Sequence, residues 1–230
     1  MQFIETSDLG VRVPVYRLVH ADAALEWRLF PMLHIGEPAY YAEVQQRLAA
    51  CDAILYEGVA SRQVERFTRA YRWVEKVRSS GLVTQDALDL RPFRDRLIHA
   101  DLAGESFDAG WRGVPWWDKL LRQLALPWLM LAMGLAGPRR WLARTLEQDD
   151  LPSRQEVLMA GVFAGDAVIL GARDAHLREV ILAYQRDHGF EHQTVGVLWG
   201  AGHMRAITHV LLQELGYRVA GAEWLTAFAV

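Results

Sequence analysis

The chain has 230 residues, 52% of them hydrophobic and 23% charged, with a formal net charge of −3. That is enough to bury a sizeable core within one domain, and so even a charge balance gives no electrostatic case for nucleic acid. The lone cysteine, Cys51, excludes an intrachain disulfide, a CxxC redox pair and any multi-cysteine zinc site, and it fits a reducing, cytoplasmic setting.

The N-terminal segment carries Asp8, Arg12 and Arg17 and has no apolar core of the kind a signal peptide needs. Two strand-like segments follow, about Val11 to Val19 and Leu25 to Leu33, with His20-Ala21-Asp22 between them as a hairpin turn. The second strand runs into His34-Ile35-Gly36-Glu37-Pro38. Pro38 suits a first helical position, and Tyr41, Val44 and Leu48 recur at helical spacing. Ala53 to Tyr56 predicts a second buried strand that ends at Glu57-Gly58. A long helix is then expected with Val64, Phe67, Tyr71, Val74 and Val77 on one face, stopped by Gly81.

The middle of the chain reads as helical: a short helix over Arg91 to His99, then a helix-rich pattern from Trp116 to Glu147 broken near Pro127 and at Gly137-Pro138. Leu124 to Pro138 is apolar throughout yet short of the roughly 20 residues of a spanning helix. It is expected to pack as a hairpin or lid, or to offer an apolar face to a partner. Arg139, Arg140 and Trp141 directly after it keep a peripheral membrane or homo-oligomer contact through 124–141 open. Ser153-Arg154-Gln155-Glu156 has the spacing of a capping box. Leu177, Val180, Ile181 and Tyr184 mark the core face of a helix that begins near Arg173-Asp174 and ends at Gly189.

Val195 to Trp199 is a short, almost wholly apolar run with β-branched and aromatic members, as suits a strand buried on both faces. Gly200-Ala201-Gly202 follows, then His203, then Met204, Ile207, Leu211 and Leu215 at helical spacing. Tyr217 to Ala220 reads as a last strand near a sheet edge. The succession of strands and helices predicts a single α/β domain over 1–230, with a mainly parallel core sheet flanked by helices and a helix-rich insertion at about 86–165.

Several chemistries are excluded by motif. Arg205 stands at the third glycine position of a dinucleotide loop, no Walker A or HExxH sequence is present, and Gly104 to Asp108 lacks the last glycine of a nucleophile elbow. What remains is His34, Glu57 and His203, each at the carboxyl end of an expected core strand, where open α/β sheets bind ligands. Two imidazoles and a carboxylate are a donor set for one divalent metal with a position left open to water. Spacing alone leaves open whether the three meet or are separately satisfied.

The segments His34-Ile35-Gly36-Glu37-Pro38-Ala39-Tyr40-Tyr41, Leu55-Tyr56-Glu57-Gly58 and Gly200-Ala201-Gly202-His203 resemble the TraB/PrgY family, which is related to the Tiki proteases and belongs with erythromycin-esterase-like and ChaN-like folds. The family pattern is two GxxH motifs with a glutamate between them. The second is intact as Gly200 to His203, whereas Pro31 replaces the glycine of the first. Weaker echoes follow the same order: Gly81 to Gln85, Ala100-Asp101-Leu102 with Phe107, and Arg173-Asp174.

The resemblance implies a metal-dependent hydrolase acting on peptides. In it His34, Glu57 and His203 hold manganese, cobalt or zinc or serve its water, with Glu57 and Arg173 in catalysis and Arg173 on the developing oxyanion. Tyr41, Asp101, Asp174, Gly200 and Gly202 take the places that face substrate. The alternative it implies is a regulator on the same fold that binds a peptide, a small ligand or haem without turnover, with His34, His203 or Tyr41 as axial ligands.

Overall fold

The computed structural model describes residues 1–58, 80–125, 137–146, 148–149 and 164–230. The expected helix over Val64 to Val77, the break at Pro127, most of the apolar run Leu124 to Pro138 and the capping box at Ser153 lie outside these residues.

The fold is mixed α/β around a sheet whose parallel core is β3 (Glu26–Met32), β5 (Ala53–Tyr56), β7 (Leu97–His99) and β9 (Thr194–Gly200). These four lie side by side in the order β7-β5-β9-β3. The sheet continues antiparallel through β2 (Gly10–Val19), β1 (Gln2–Ser7) and the two-residue β8 (Gln148–Asp149), while β10 (Arg218–Ala229) pairs along the other edge of β2. β4 (Ile35–Gly36) and β6 (Val83–Thr84) make a separate small ladder beside the end of β3.

Side-chain alternation assigns the helices to the two faces of the sheet. Trp27, Leu29 and Pro31 of β3 stand in register with Val195, Val197 and Trp199 of β9. On that face Trp27 meets Tyr184 edge-on at 5.9 Å and donates to Gln185 Oε1 at 3.3 Å, which places α5 (Ala172–His188) there. On the opposite face lies Gly196. A methyl group at that glycine would stand 3.1 Å from Cys51 Sγ and 3.5 Å from Leu48, so the end of α1 (Pro38–Leu48) presses on the strand where it has no side chain. β9 is therefore covered on both sides, and Val195 to Gly200 are all buried.

The hairpin β2–β3, α1 starting at Pro38, β5, α5 ending at Gly189 and β9 stand where the sequence predicts them. Three expectations change. Arg91 to Arg96 is a 3-10 helix, and Leu97 to His99 is not helical but a strand of the parallel core, so that core reaches into the segment expected to be a helical insertion. The last strand runs on to Ala229 rather than stopping near Ala220. The helix after His203 is a composite: a 3-10 turn Ala201–His203, α6 (Met204–Thr208) and a π-helical stretch His209–Glu214. The middle of the chain also supplies α2 (Gly104–Gly113), a helix α3 over 116–125 and α4 (Pro138–Thr145).

Pro31 is tolerated in β3 for a local reason. β2 pairs with β3 only as far as Leu29. The Pro31 carbonyl accepts the Tyr40 hydroxyl at 3.4 Å, and the N of a strand residue points to the same edge as its carbonyl. The missing N–H therefore faces an edge where the β2 ladder has already ended.

Ile54 is fully buried at the centre of β5. Ile54→Ala is expected to lower stability by about 2–5 kcal/mol and Ile54→Val by about 0.5–1.5 kcal/mol. Urea unfolding followed by circular dichroism should show both as midpoint shifts with an unchanged slope.

Candidate functional site

Each strand of the parallel core delivers a polar residue just past its carboxyl end. In sheet order these are Asp101 after β7, Glu57 after β5, His203 after β9 and His34 after β3. A fifth residue, Arg173, reaches them from the first turn of α5. The Glu57 N–H donates to the Leu198 carbonyl at 3.1 Å, which extends the β5–β9 ladder by one residue and sets the glutamate opposite Trp199, with its side chain in reach of Gly200.

The Arg173 guanidinium is the centre of the arrangement, with the residue only 6% exposed. Nε and Nη2 grip the two oxygens of Asp101 at 2.9 and 2.6 Å. Nη2 also donates to Glu57 Oε1 at 2.6 Å. Nη1 lies 3.2 Å from His203 Nε2. A guanidinium has only donors, so this contact makes Nε2 the acceptor and puts the ring hydrogen on Nδ1. Nδ1 then donates to Asp174 Oδ1 at 2.5 Å. Beneath, the indole of Trp199 lies 5.2 Å from the Arg173 Cζ and meets the His203 ring edge-on at 5.0 Å.

The backbone completes the set. Glu57 Oε2 accepts the Gly200 N–H at 2.5 Å, and a methyl group on Gly200 would stand 3.1 Å from that oxygen. The glycine thus lets the carboxylate lie against the main chain of β9. Asp101 additionally accepts the N–H groups of Leu102 at 2.8 Å and Gly58 at 3.1 Å. Burial alone would raise the Glu57 pKa, but the charge and hydrogen bond of Arg173 outweigh it and hold the carboxyl below the usual value near 4.5. Burial would likewise lower the arginine, yet Asp101 and Glu57 keep it above the ordinary arginine range, so it stays charged.

Glu57, Arg173, His203, Gly200, Gly202 and His34 line one cavity of about 250 Å³ at the strand ends. Its other wall is apolar and includes Ile4, Met32, Leu142, Leu146 and Leu170. His34 sits on the exposed side of this cavity, with Nδ1 3.2 Å from Gln85 Oε1. Asp101 and Asp174 are not in the lining. They act from behind, Asp101 on Arg173 and Asp174 on His203. Tyr41 is not in it either: it is buried, and its hydroxyl donates to the Leu33 carbonyl at 3.0 Å, so it supports the loop that carries His34 instead of facing the cavity.

The place between Glu57 and His203, whose Oε1 and Nε2 are 3.9 Å apart, is where the guanidinium reaches. Among the described residues no three His, Cys, Asp or Glu side chains are grouped as a metal ion requires. With Arg173 seated on both Glu57 and His203, the donor set as arranged does not fit a divalent metal. The sequence pointed to the histidines, the glutamate and Arg173. It gave no signal for Trp199 as the platform of Arg173, nor for Leu142, Leu146 and Leu170 as the apolar wall. Comparison with protein-family models, curated proteins and solved structures finds no match to this chain.

Because the folded-state pKa of Glu57 lies below its unfolded value, the residue contributes stability above about pH 4.5 and gives it up as the pH falls through the folded value. Glu57→Gln is expected to be less stable at pH 7 by about 1–3 kcal/mol, because it leaves part of a buried guanidinium without its charged partner. Its stability should also fall less steeply than the parent's below about pH 4.5. Urea midpoints taken across that range check both. Parallel pH curves for the two proteins would show that another group carries the acid sensitivity.

Proposed function

We propose that this chain is a hydrolase of peptide or related acyl bonds, with His203 as general base, Asp174 as the residue that orients it and Arg173 as the cation that meets the developing oxyanion. The observation that carries the reading is the orientation of His203: Nδ1 is committed to Asp174, so the acceptor nitrogen Nε2 is presented beside a guanidinium at the wall of a cavity. Once a water takes the place of the Arg173 Nη1 hydrogen bond at Nε2, a histidine held in this way can take the proton of that water and return it to the leaving group. Arg173, held and kept charged by Glu57 and Asp101, is the cation beside which negative charge would develop. Glu57 and Asp101 keep the guanidinium in place and charged. The apolar wall suits a substrate with an aliphatic group next to the bond that is cut.

The motif resemblance to the TraB/PrgY family supports a peptidase-like activity, the lone cysteine fits a cytoplasmic setting, and in this reading the helices of the 86–165 segment form a lobe that brings Leu142 and Leu146 to the cavity. A manganese, cobalt or zinc ion at His34, Glu57 and His203 would require Arg173 to leave Glu57, and no step here depends on one. The second reading is a binding protein without turnover for a peptide or small ligand. It is favoured by the full engagement of the Glu57 carboxylate, with one oxygen on Arg173 and the other on Gly200.

Turnover of a peptide library and of simple neutral esters separates these readings, measured for the parent after dialysis against chelator and again with each metal added. His203→Ala is expected to lower kcat by about 10²–10⁴-fold and Arg173→Lys by about 10²–10³-fold. Asp174→Asn should lower kcat with little change in KM, as loss of orientation does. Turnover that appears only with added metal, and metal content lost together with His34→Ala and His203→Ala, would replace the arginine-centred reading by the metal-centred one. Ligand binding with no turnover in any condition would establish the binding protein.

A further inference from the structure

The cavity at the strand ends changes character across the sheet edge: it is polar over β5 and β9 and apolar over β3 and β1. The path of β2 explains the apolar side. β10 takes one edge of β2, and the other edge is shared, with β3 on Tyr16 to Leu18 and β1 on Gly10 to Arg12. β1 therefore continues the line of β3 past its carboxyl end, and Ile4 comes to line the space that β3 leaves. Leu142 of α4, with Leu146 one turn on, lines the same cavity. Ile4 is 3% exposed, Met32 2% and Leu142 3%, so this side lies in the interior. The cavity reaches solvent where His34 is exposed and Leu170 is 37% exposed. The described residues that line the apolar side carry no hydrogen-bonding side chain.

We propose that this apolar side is an acyl recess, and that the substrates are amides or esters of short straight-chain aliphatic acids. The proposal rests on the hydrolase reading above for its chemistry. With the carbonyl oxygen at Arg173 and the water at His203 Nε2, the two substituents of the carbonyl carbon take the two directions that remain. The leaving nitrogen or oxygen needs hydrogen-bond partners, and the apolar side offers it none. It therefore lies toward His34 and solvent, and the all-carbon acyl chain enters the recess, where each buried methylene strengthens binding about fourfold. An aminoacyl group fits less well, because its Cα nitrogen and the peptide before it would follow the carbonyl into apolar surroundings. Size sets the upper limit. A cavity of about 250 Å³ holds about eight non-hydrogen atoms at about 30 Å³ each, the share of one water in the liquid. An acyl chain of about six carbons, together with its amide or ester group, fills it. In the reaction the water oxygen bonds to the carbonyl carbon, and the bond from that carbon to the leaving nitrogen or oxygen breaks. One water proton passes through His203 to the departing atom, which gives the short-chain acid and an amine or alcohol. Selectivity then falls on the acyl part, with Leu142 and Leu146 setting its length.

The test is ligand-observed NMR titration of the full chain with neutral N-methyl amides of straight-chain acids, from about two to about ten carbons. Hydrolysis of the same compounds is followed by mass spectrometry. Affinity is expected to rise about fourfold with each added methylene up to about six carbons and to gain nothing beyond. Leu142→Ala should move that limit outward by about two carbons, and Leu146→Phe should move it inward by about as much, since each changes the room by a few side-chain atoms. If Leu142→Ala fails to fold, Leu146→Phe, at a half-buried position, carries the comparison alone. Affinity that does not depend on chain length, or a limit that no folded variant moves, would overturn the proposal. Hydrolysis confined to bonds between two amino-acid residues would overturn it too, while leaving the hydrolase reading in place. A limit that moves with the variants, without hydrolysis of any compound, would support the recess and remove the hydrolase reading.

Discussion

A guanidinium buried to the extent of Arg173 has a large desolvation cost, and the ends of the core strands are arranged so that this cost is met. Its bidentate pairing with Asp101 and its bond to Glu57 supply two carboxylates from adjacent strands. Those carboxylates would themselves be costly to bury, and each is anchored by main-chain donors, Asp101 by Leu102 and Gly58 and Glu57 by Gly200. The network closes through Nη1, which sets the tautomer of His203 and so fixes its bond to Asp174. Removing any one member leaves a buried polar group of another unmet, which is why the cluster holds a single geometry.

Parallel pairing makes such a cluster possible. Strands β7, β5, β9 and β3 run the same way, so their last residues lie along one line at one edge of the sheet, about 5 Å from strand to strand. Asp101, Glu57, the Gly200–His203 turn and His34 are successive positions on that line. The antiparallel strands β2, β1, β8 and β10 contribute none of these polar residues and instead widen the sheet. Only Ile4 of β1 reaches the cavity, as part of its apolar wall.

The order of the motifs along the chain was legible because each lies at the end of a strand or helix with a strong local pattern. β9 is a continuous apolar run, α1 opens on a proline, and α5 repeats Leu177, Val180, Ile181 and Tyr184 at helical spacing. Residues whose role is set over a long separation were not legible in the same way. Asp101 and Arg173 are 72 positions apart, and no periodicity couples them. β7 is three residues long, too short to show alternation, and it was absorbed into an expected helix. The continuation of β10 past Ala220 was missed because Gly221, Ala222 and Glu223 interrupt the apolar pattern before the buried Leu225, Ala227 and Phe228. Tyr41 shows the opposite failure: an aromatic in the right place in the sequence faces the core and the Leu33 carbonyl, since a helix positions side chains by its packing face and not by nearness to a motif.

The two motifs show how a departure in sequence can leave the geometry of a strand end intact. In the second motif the Glu57 carboxylate lies against the main chain of Gly200, and a methyl group there would stand 3.1 Å from its oxygen, so glycine gives the closest fit. At the equivalent place in β3, Pro31 is in register with Trp199, one residue before the strand end, and its carbonyl is met by Tyr40. At Pro31 a residue without an N–H costs nothing to a ladder that β2 has already left. Pro31 also restricts the backbone just ahead of Met32 and Leu33, the residues that place His34 at the cavity. The asymmetry between the two motifs follows from the position of Glu57, which crosses from β5 to β9 and has no counterpart beside β3.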